Sequence, residues 1–81
     1  MNEEITVFYN LEDEKIYVRV PQSKETHYQL QNLPGKILQE ATHSKNLHDF
    51  DLSGLKDGIY FIIIEQEGLI KSKKIVKGYH P

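Results

Sequence analysis

Apolar side chains recur at every second position along most of this chain, and that period restricts the fold more than any other feature. Residues 5–9, 16–20 and 69–77 alternate in this way and are rich in β-branched and aromatic side chains, as half-buried strands are. A helix needs apolar residues three or four positions apart, and no segment with a convincing helix cap shows that spacing. The sequence therefore predicts a protein built from strands.

Short alternating runs separated by turn residues are typical of a compact antiparallel β-sandwich. The predicted strands cover residues 5–9, 16–20, 27–31, 36–42, 47–52, 59–65 and 69–77. The sixth run is apolar on both faces and is bounded by Gly58 and Gly68, which indicates a central strand. A short helical turn is an alternative only within residues 44–52.

One turn is predicted in detail, in the sequence Asn-Leu-Pro-Gly-Lys at residues 32–36. Pro34 presets φ for the first central position of a type II turn, and Gly35 tolerates the positive φ that follows. This turn joins the third and fourth strands into a hairpin.

Composition bounds the class of protein. A chain of 81 residues predicts one domain, here residues 1–77, followed by a loose tail at residues 78–81. Its net charge of −2 gives no sign of nucleic-acid binding, and no apolar run is long enough to span a membrane. The acidic N-terminus is unlike a signal peptide, and the absence of cysteine excludes disulfides and thiolate metal sites.

Candidate chemistry is sparse. A loop could bring His43 and His48 together, but we interpret all four histidines, with His27 and His80, as surface or half-buried side chains. Two acidic groups are alternatives for calcium ligation, although a solvated turn explains each of them: Glu12, Asp13 and Glu14; and Asp49, Asp51 and Asp57. With no nucleophile elbow and no phosphate loop, we predict neither an enzyme nor a cofactor.

A basic strip ends the last strand, formed by Lys71, Lys73, Lys74 and Lys77. Lysines on an edge strand ordinarily protect it from pairing with other chains. Contact with an anionic lipid or polysaccharide is the alternative.

The C-terminal third also carries an ordered set of motifs. Asp-Leu-Ser-Gly-Leu at residues 51–55 is followed by Gly58 and Tyr60, a turn at Gly68 and a closing Lys-Lys-Ile-Val-Lys at residues 73–77. With the upstream hairpin at Gly35, this order resembles the C-terminal sorting domains (type A) of the type IX secretion system of exported bacterial proteins. The resemblance covers nearly the whole chain.

The resemblance implies a seven-stranded immunoglobulin-like sandwich at the end of a longer exported protein, delivered to the cell surface or secreted. Its partners would be the outer-membrane secretion machinery, a sortase-like protease that removes the domain, and the cargo protein N-terminal to it. The domain would do no chemistry. We expect partner contacts at the last hairpin (Gly68, Lys71, Lys73, Lys74 and Lys77) and structural roles for Gly35, Leu52, Leu55, Gly58 and Tyr60.

Two other functions stay open at this point. The first is a structural or adhesive sandwich that forms a homodimer through an edge strand. The second, more distant one is a carbohydrate- or calcium-binding accessory module, for which only residues 12–14 and surface tyrosines speak.

Overall fold

A computed structural model describes residues 4–78 of the chain. The strands are β1 (Thr6–Asn10), β2 (Lys15–Arg19), β3 (Thr26–Asn32), β4 (Ile37–His43), β5 (Leu47–Asp51), β6 (Gly58–Gln66) and β7 (Leu69–Lys77). The seven predicted strands are confirmed to within one residue at most ends. The helical turn considered for residues 44–52 is wrong, because that stretch contains β5.

The strands form two antiparallel sheets that pack face to face. One sheet has the order β1-β2-β5, and the other has the order β4-β3-β6-β7. Every neighbouring pair is antiparallel. The predicted immunoglobulin-like sandwich is confirmed, with β4 added beside β3 in the larger sheet as the extra strand is in variable-type domains.

The core lies between the two sheets and follows the period of two. Alternate side chains of the strands point inward, so β6 contributes Tyr60, Ile62 and Ile64 while their neighbours in the chain lie on the outer face. The buried apolar residues are Ile16, Val18, Val20, Tyr28, Leu30, Phe50, Leu52, Tyr60, Ile62 and Ile64. Both sheets contribute to this list, so each sheet buries one face against the other.

The sixth strand is central, as its sequence predicts. β6 lies between β3 and β7 and pairs with both along its length. Its outward side chains Ile59, Phe61 and Ile63 are half-buried. β6 is apolar on both faces because it has a neighbouring strand on each side, and the side chains of those strands partly cover its outer face.

The turn between β3 and β4 is where the sequence predicts it, but different residues occupy its central positions. Gly35 N–H donates to the Asn32 carbonyl at 2.9 Å, so Leu33 and Pro34 are the central residues, one position earlier than the type II prediction. Gly35 follows them with φ +97°, the arrangement of a three-residue hairpin loop closed by a left-handed residue. The Asn32 side chain also accepts from Lys36 N–H at 2.8 Å.

The end of the predicted tail, residues 79–81, lies outside the described residues. Within residues 4–78 there is no helix long and apolar enough to cross a membrane.

We predict that Ile62→Ala destabilises the domain by about 2–5 kcal/mol, since a fully buried side chain would leave a cavity in the central strand. Ile70→Ala on the neighbouring strand is the matched control. Ile70 is 64% exposed, so its truncation should change the free energy of unfolding by no more than about 0.5 kcal/mol. Urea unfolding of both variants measures the difference, and equal losses would contradict this account of the core.

Candidate functional site

The hairpin of β6 and β7 is the candidate contact surface, and a two-residue turn closes it. Gln66 pairs with Leu69 across the strands, so Glu67 and Gly68 alone form the loop. Both have positive φ, 52° and 79°, as a type I′ turn requires. This explains the glycine at position 68, and Lys24 Nζ reaches the Glu67 carboxylate at 3.0 Å to hold the tip.

The four lysines of β7 do not form one surface. The pairing of β7 with β6 places Lys71 beside Ile64 and Lys73 beside Ile62, on the side that faces the smaller sheet. Lys74 lies beside Phe61 on the outer face of the sheet. These three are exposed, and none of them enters an ion pair with another of the described residues.

Lys77 is buried, which corrects the expectation of a four-lysine exposed strip. Only 7% of its surface is accessible. Its ammonium donates to the carbonyl oxygens of Leu52 at 2.6 Å and Leu55 at 2.5 Å. The Glu14 carboxylate lies 3.5 Å away and supplies the compensating negative charge that a buried cation needs.

The loop that receives Lys77 is built by local hydrogen bonds. Ser53 N–H donates to the Asp51 carboxylate at 2.9 Å, an Asx turn, and this backbone bond is the main reason why the pKa of Asp51 lies below its usual value. Leu55 N–H then donates to the Leu52 carbonyl at 3.0 Å. The Leu52 side chain is fully buried and that of Leu55 packs against the core, so the carbonyls face the lysine.

Tyr60 fixes the other end of this loop. Its hydroxyl donates to the Lys56 carbonyl at 2.5 Å, and its ring is buried in the core. A tyrosine near the start of this strand that bonds back to the preceding loop is the tyrosine corner of immunoglobulin-like domains. Gly58 lies between them with φ +154°, a conformation that favours glycine.

His43 and His48, the two histidines that a loop could bring together, are in contact. His43 Nε2 and His48 Nδ1 lie 2.9 Å apart. Lys45 N–H donates to His43 Nδ1, so the proton of neutral His43 is on Nε2 and is donated to His48. The His48 ring stacks on Tyr28 and meets Phe50 edge-on. Burial, and then the proximity of His43, hold the pKa of His48 below its usual value.

Four of the six acidic residues considered for calcium bind other groups of the protein: Asp13, Glu14, Asp49 and Asp51. Asp13 accepts from Lys15 N–H and the Tyr17 hydroxyl, while Asp49 lies 3.6 Å from Lys15 Nζ. No three histidine, aspartate or glutamate side chains of residues 4–78 converge as metal ligands do.

A family model for a secretion system C-terminal sorting domain matches residues 6–78, almost the whole chain and all seven strands. This chain belongs to the family of type IX secretion system C-terminal sorting domains. The family is one of sorting signals and not of enzymes. A domain of this family implies contact with the secretion machinery. It also implies export to the cell surface, or secretion, as part of a longer protein. A comparison with curated proteins finds no match.

Two contacts of the sorting domain were missed by sequence reasoning. Leu52, Leu55, Gly58 and Tyr60 lie in the loop before β6 and at the start of that strand, whereas Gly35 lies in the turn between β3 and β4. The bonds from Lys77 to the loop and from Tyr60 to Lys56 were not anticipated. The signal for the first was the position of Lys77 in the chain. It is the fifth and last of the alternate residues that begin with Leu69 on the inward side of β7, where a lysine without an acceptor would be costly.

We predict that Lys77→Met destabilises the sorting domain by about 1–3 kcal/mol, because two carbonyl oxygens lose a buried donor and the Glu14 carboxylate loses its cation. Lys73→Met removes a lysine from the same side of the same strand. Since Lys73 is exposed and unpaired among the described residues, its loss should stay within about 0.5 kcal/mol. Urea unfolding compares the two. Similar values for both variants would show that the carbonyl contacts of Lys77 add no stability.

We also predict that the sorting domain loses stability as the pH falls below about 6.5, the usual histidine pKa. The unfolded chain takes up a proton at His48 in that range while the folded chain, whose His48 pKa is lower, does not. The loss ends when the pH passes the folded pKa. The control, His48→Gln, should flatten this part of the curve of unfolding free energy against pH. An unchanged slope would assign the dependence to other groups.

Proposed function

We propose that this domain is a non-catalytic address that the outer-membrane secretion machinery recognises on an exported cargo protein. After transport, a sortase-like protease removes the domain as the cargo is attached to surface lipopolysaccharide. The match of the family over residues 6–78 carries this proposal. The structure supports it by explaining the motif residues Leu52, Leu55 and Tyr60 as parts of a scaffold.

The contact surface in this proposal is the β6–β7 hairpin, in particular Gly68, Lys71, Lys73 and Lys74. Gly68 gives the hairpin its tight tip, and the three lysines are exposed cations without ion-pair partners among residues 4–78. Lys77 has a different part. Because it is buried, it acts by holding the end of β7 against the loop at residues 52–55.

The adhesive alternative gains no support from this surface. Two copies that paired through β7 would place three exposed lysines of one chain near three of the other. Like charges in that arrangement destabilise strand pairing. We therefore assign the hairpin to a different, complementary partner.

The first test is a fusion of a signal peptide, a fluorescent reporter and residues 1–81, expressed in a type IX-competent bacterium and in a strain without the secretion pore. We expect the reporter at the cell surface or in the medium of the competent strain only. Reporter held in the periplasm of both strains would overturn the sorting function.

The contact surface is tested with the same fusion carrying Lys71→Glu, Lys73→Glu and Lys74→Glu. We expect its export to fall to the level of the strain without the pore, since the exposed cations are reversed while the core is untouched. The control reverses Lys36, Lys45 and Lys56, which are also exposed but lie elsewhere. Far-UV circular dichroism checks that both variants fold. Equal export of the two would remove the hairpin lysines from the contact.

A further inference from the structure

The larger sheet is wider than the smaller one, and the first half of β7 has no strand of residues 4–78 opposite it. Ile62 and Ile64 on β6 are fully buried. Their neighbours on β7, Lys73 and Lys71, point to the same side and yet are exposed. Leu69, two residues before Lys71, is 70% exposed. The inward side of β7 is therefore uncovered at its start and covered only near Ile75 and Lys77.

The uncovered surface continues into a groove beside β1. The groove has a volume of about 240 Å³ and is lined by Ile5, Pro21, Ile64, Gln66, Leu69 and Lys71. β1 is the edge strand of the smaller sheet and pairs only with β2 among the described strands. Its second edge therefore has backbone groups available for another strand. Ile5, directly before β1, lines the groove with Leu69 and Lys71, so we expect a strand added at that edge to lie beside these residues.

The chemistry of the surface specifies what such a strand would carry. Its apolar part is formed by Ile5 and Leu69, and its charged part by the ammonium groups of Lys71 and Lys73. Neither lysine enters an ion pair with a residue from 4 to 78. A lysine can lie along apolar surface while its charge stays accessible, so an occupant with acidic side chains would meet both requirements of the site.

We propose that an extended segment of another protein pairs with β1 and completes the smaller sheet over the first half of β7. Every second residue of that segment faces β7. The residue opposite Leu69 is apolar, and the residues opposite Lys71 and Lys73 are acidic. The spacing fits, because alternate residues of both strands repeat at about 6.6–6.8 Å. Strand addition of this kind takes affinity from main-chain hydrogen bonds and specificity from alternate side chains.

This inference rests on the proposed function in one respect: the segment is supplied by the secretion machinery. The groove itself is tested with purified residues 1–81 and a seven-residue peptide with blocked ends. The peptide has the sequence Thr-Val-Thr-Glu-Thr-Glu-Thr. The reversed order is the second probe, since the direction of the added strand is open. Amide NMR spectra follow the titration.

We expect saturable shifts confined to residues 5–10 and 69–73, with slowed amide exchange in β1. Lys71→Glu with Lys73→Glu should weaken binding by about tenfold or more and should favour a peptide with lysine in place of glutamate. The control is Lys36→Glu with Lys45→Glu, the same reversal of charge at two exposed lysines outside β7, which should bind as the unchanged domain does.

Three results would overturn the inference: no saturable shifts with either peptide, equal weakening by Lys36→Glu with Lys45→Glu, or shifts that appear on concentrating the domain without peptide and so assign the groove to a second copy. Export of the reporter fusion separates this from the proposed function. Normal export without peptide binding rejects only the proposal that the groove binds a strand. Peptide binding without export rejects the sorting function and retains the groove as a binding site for an acidic strand.

Discussion

The ammonium group of Lys77 joins three parts of the chain that are far apart in sequence. It donates to two carbonyls of the loop at residues 52–55 and lies 3.5 Å from the Glu14 carboxylate in the connection between β1 and β2. Glu14 also accepts the Leu52 N–H through its own carbonyl. One buried cation thus ties the end of β7 to the loop that leads from β5 to β6 and to the connection between β1 and β2, and so joins the two sheets at this end of the sandwich.

The period of two was sufficient to predict the strands and the sandwich, because each strand buries one face and exposes the other. Residues 59–65 were harder, since an apolar run is consistent with a helix or a strand, and its glycine boundaries decided for the strand. The turn at Pro34 shows the limit of local rules. Its residues predicted a turn, but the hydrogen bond that sets its frame depends on the pairing of β3 and β4, including a bulge after Leu30.

The candidate site could be located from the sequence but not resolved into separate roles. Alternation places Lys71, Lys73 and Lys77 on one side of β7, yet it does not reveal where the opposite sheet ends. The extent of that sheet exposes Lys71 and Lys73 and buries Lys77, so three residues of the same type on one face differ in environment. The sequence allowed a contact between His43 and His48, but the direction of their hydrogen bond follows only from the position of Lys45 N–H.

The exposed lysines of β7, Lys71, Lys73 and Lys74, meet two requirements of a strand that binds a partner. A nine-residue edge strand without proline is a surface on which copies of a protein tend to aggregate, and exposed lysines oppose that by mutual repulsion. The positive charges that repel a second copy of β7 also attract an acidic partner. Protection from aggregation and recognition of a partner therefore have the same electrostatic origin. Both effects weaken as salt screens exposed charges, whereas the contacts of buried Lys77 are screened much less. The domain therefore keeps its scaffold under conditions that weaken its surface contacts.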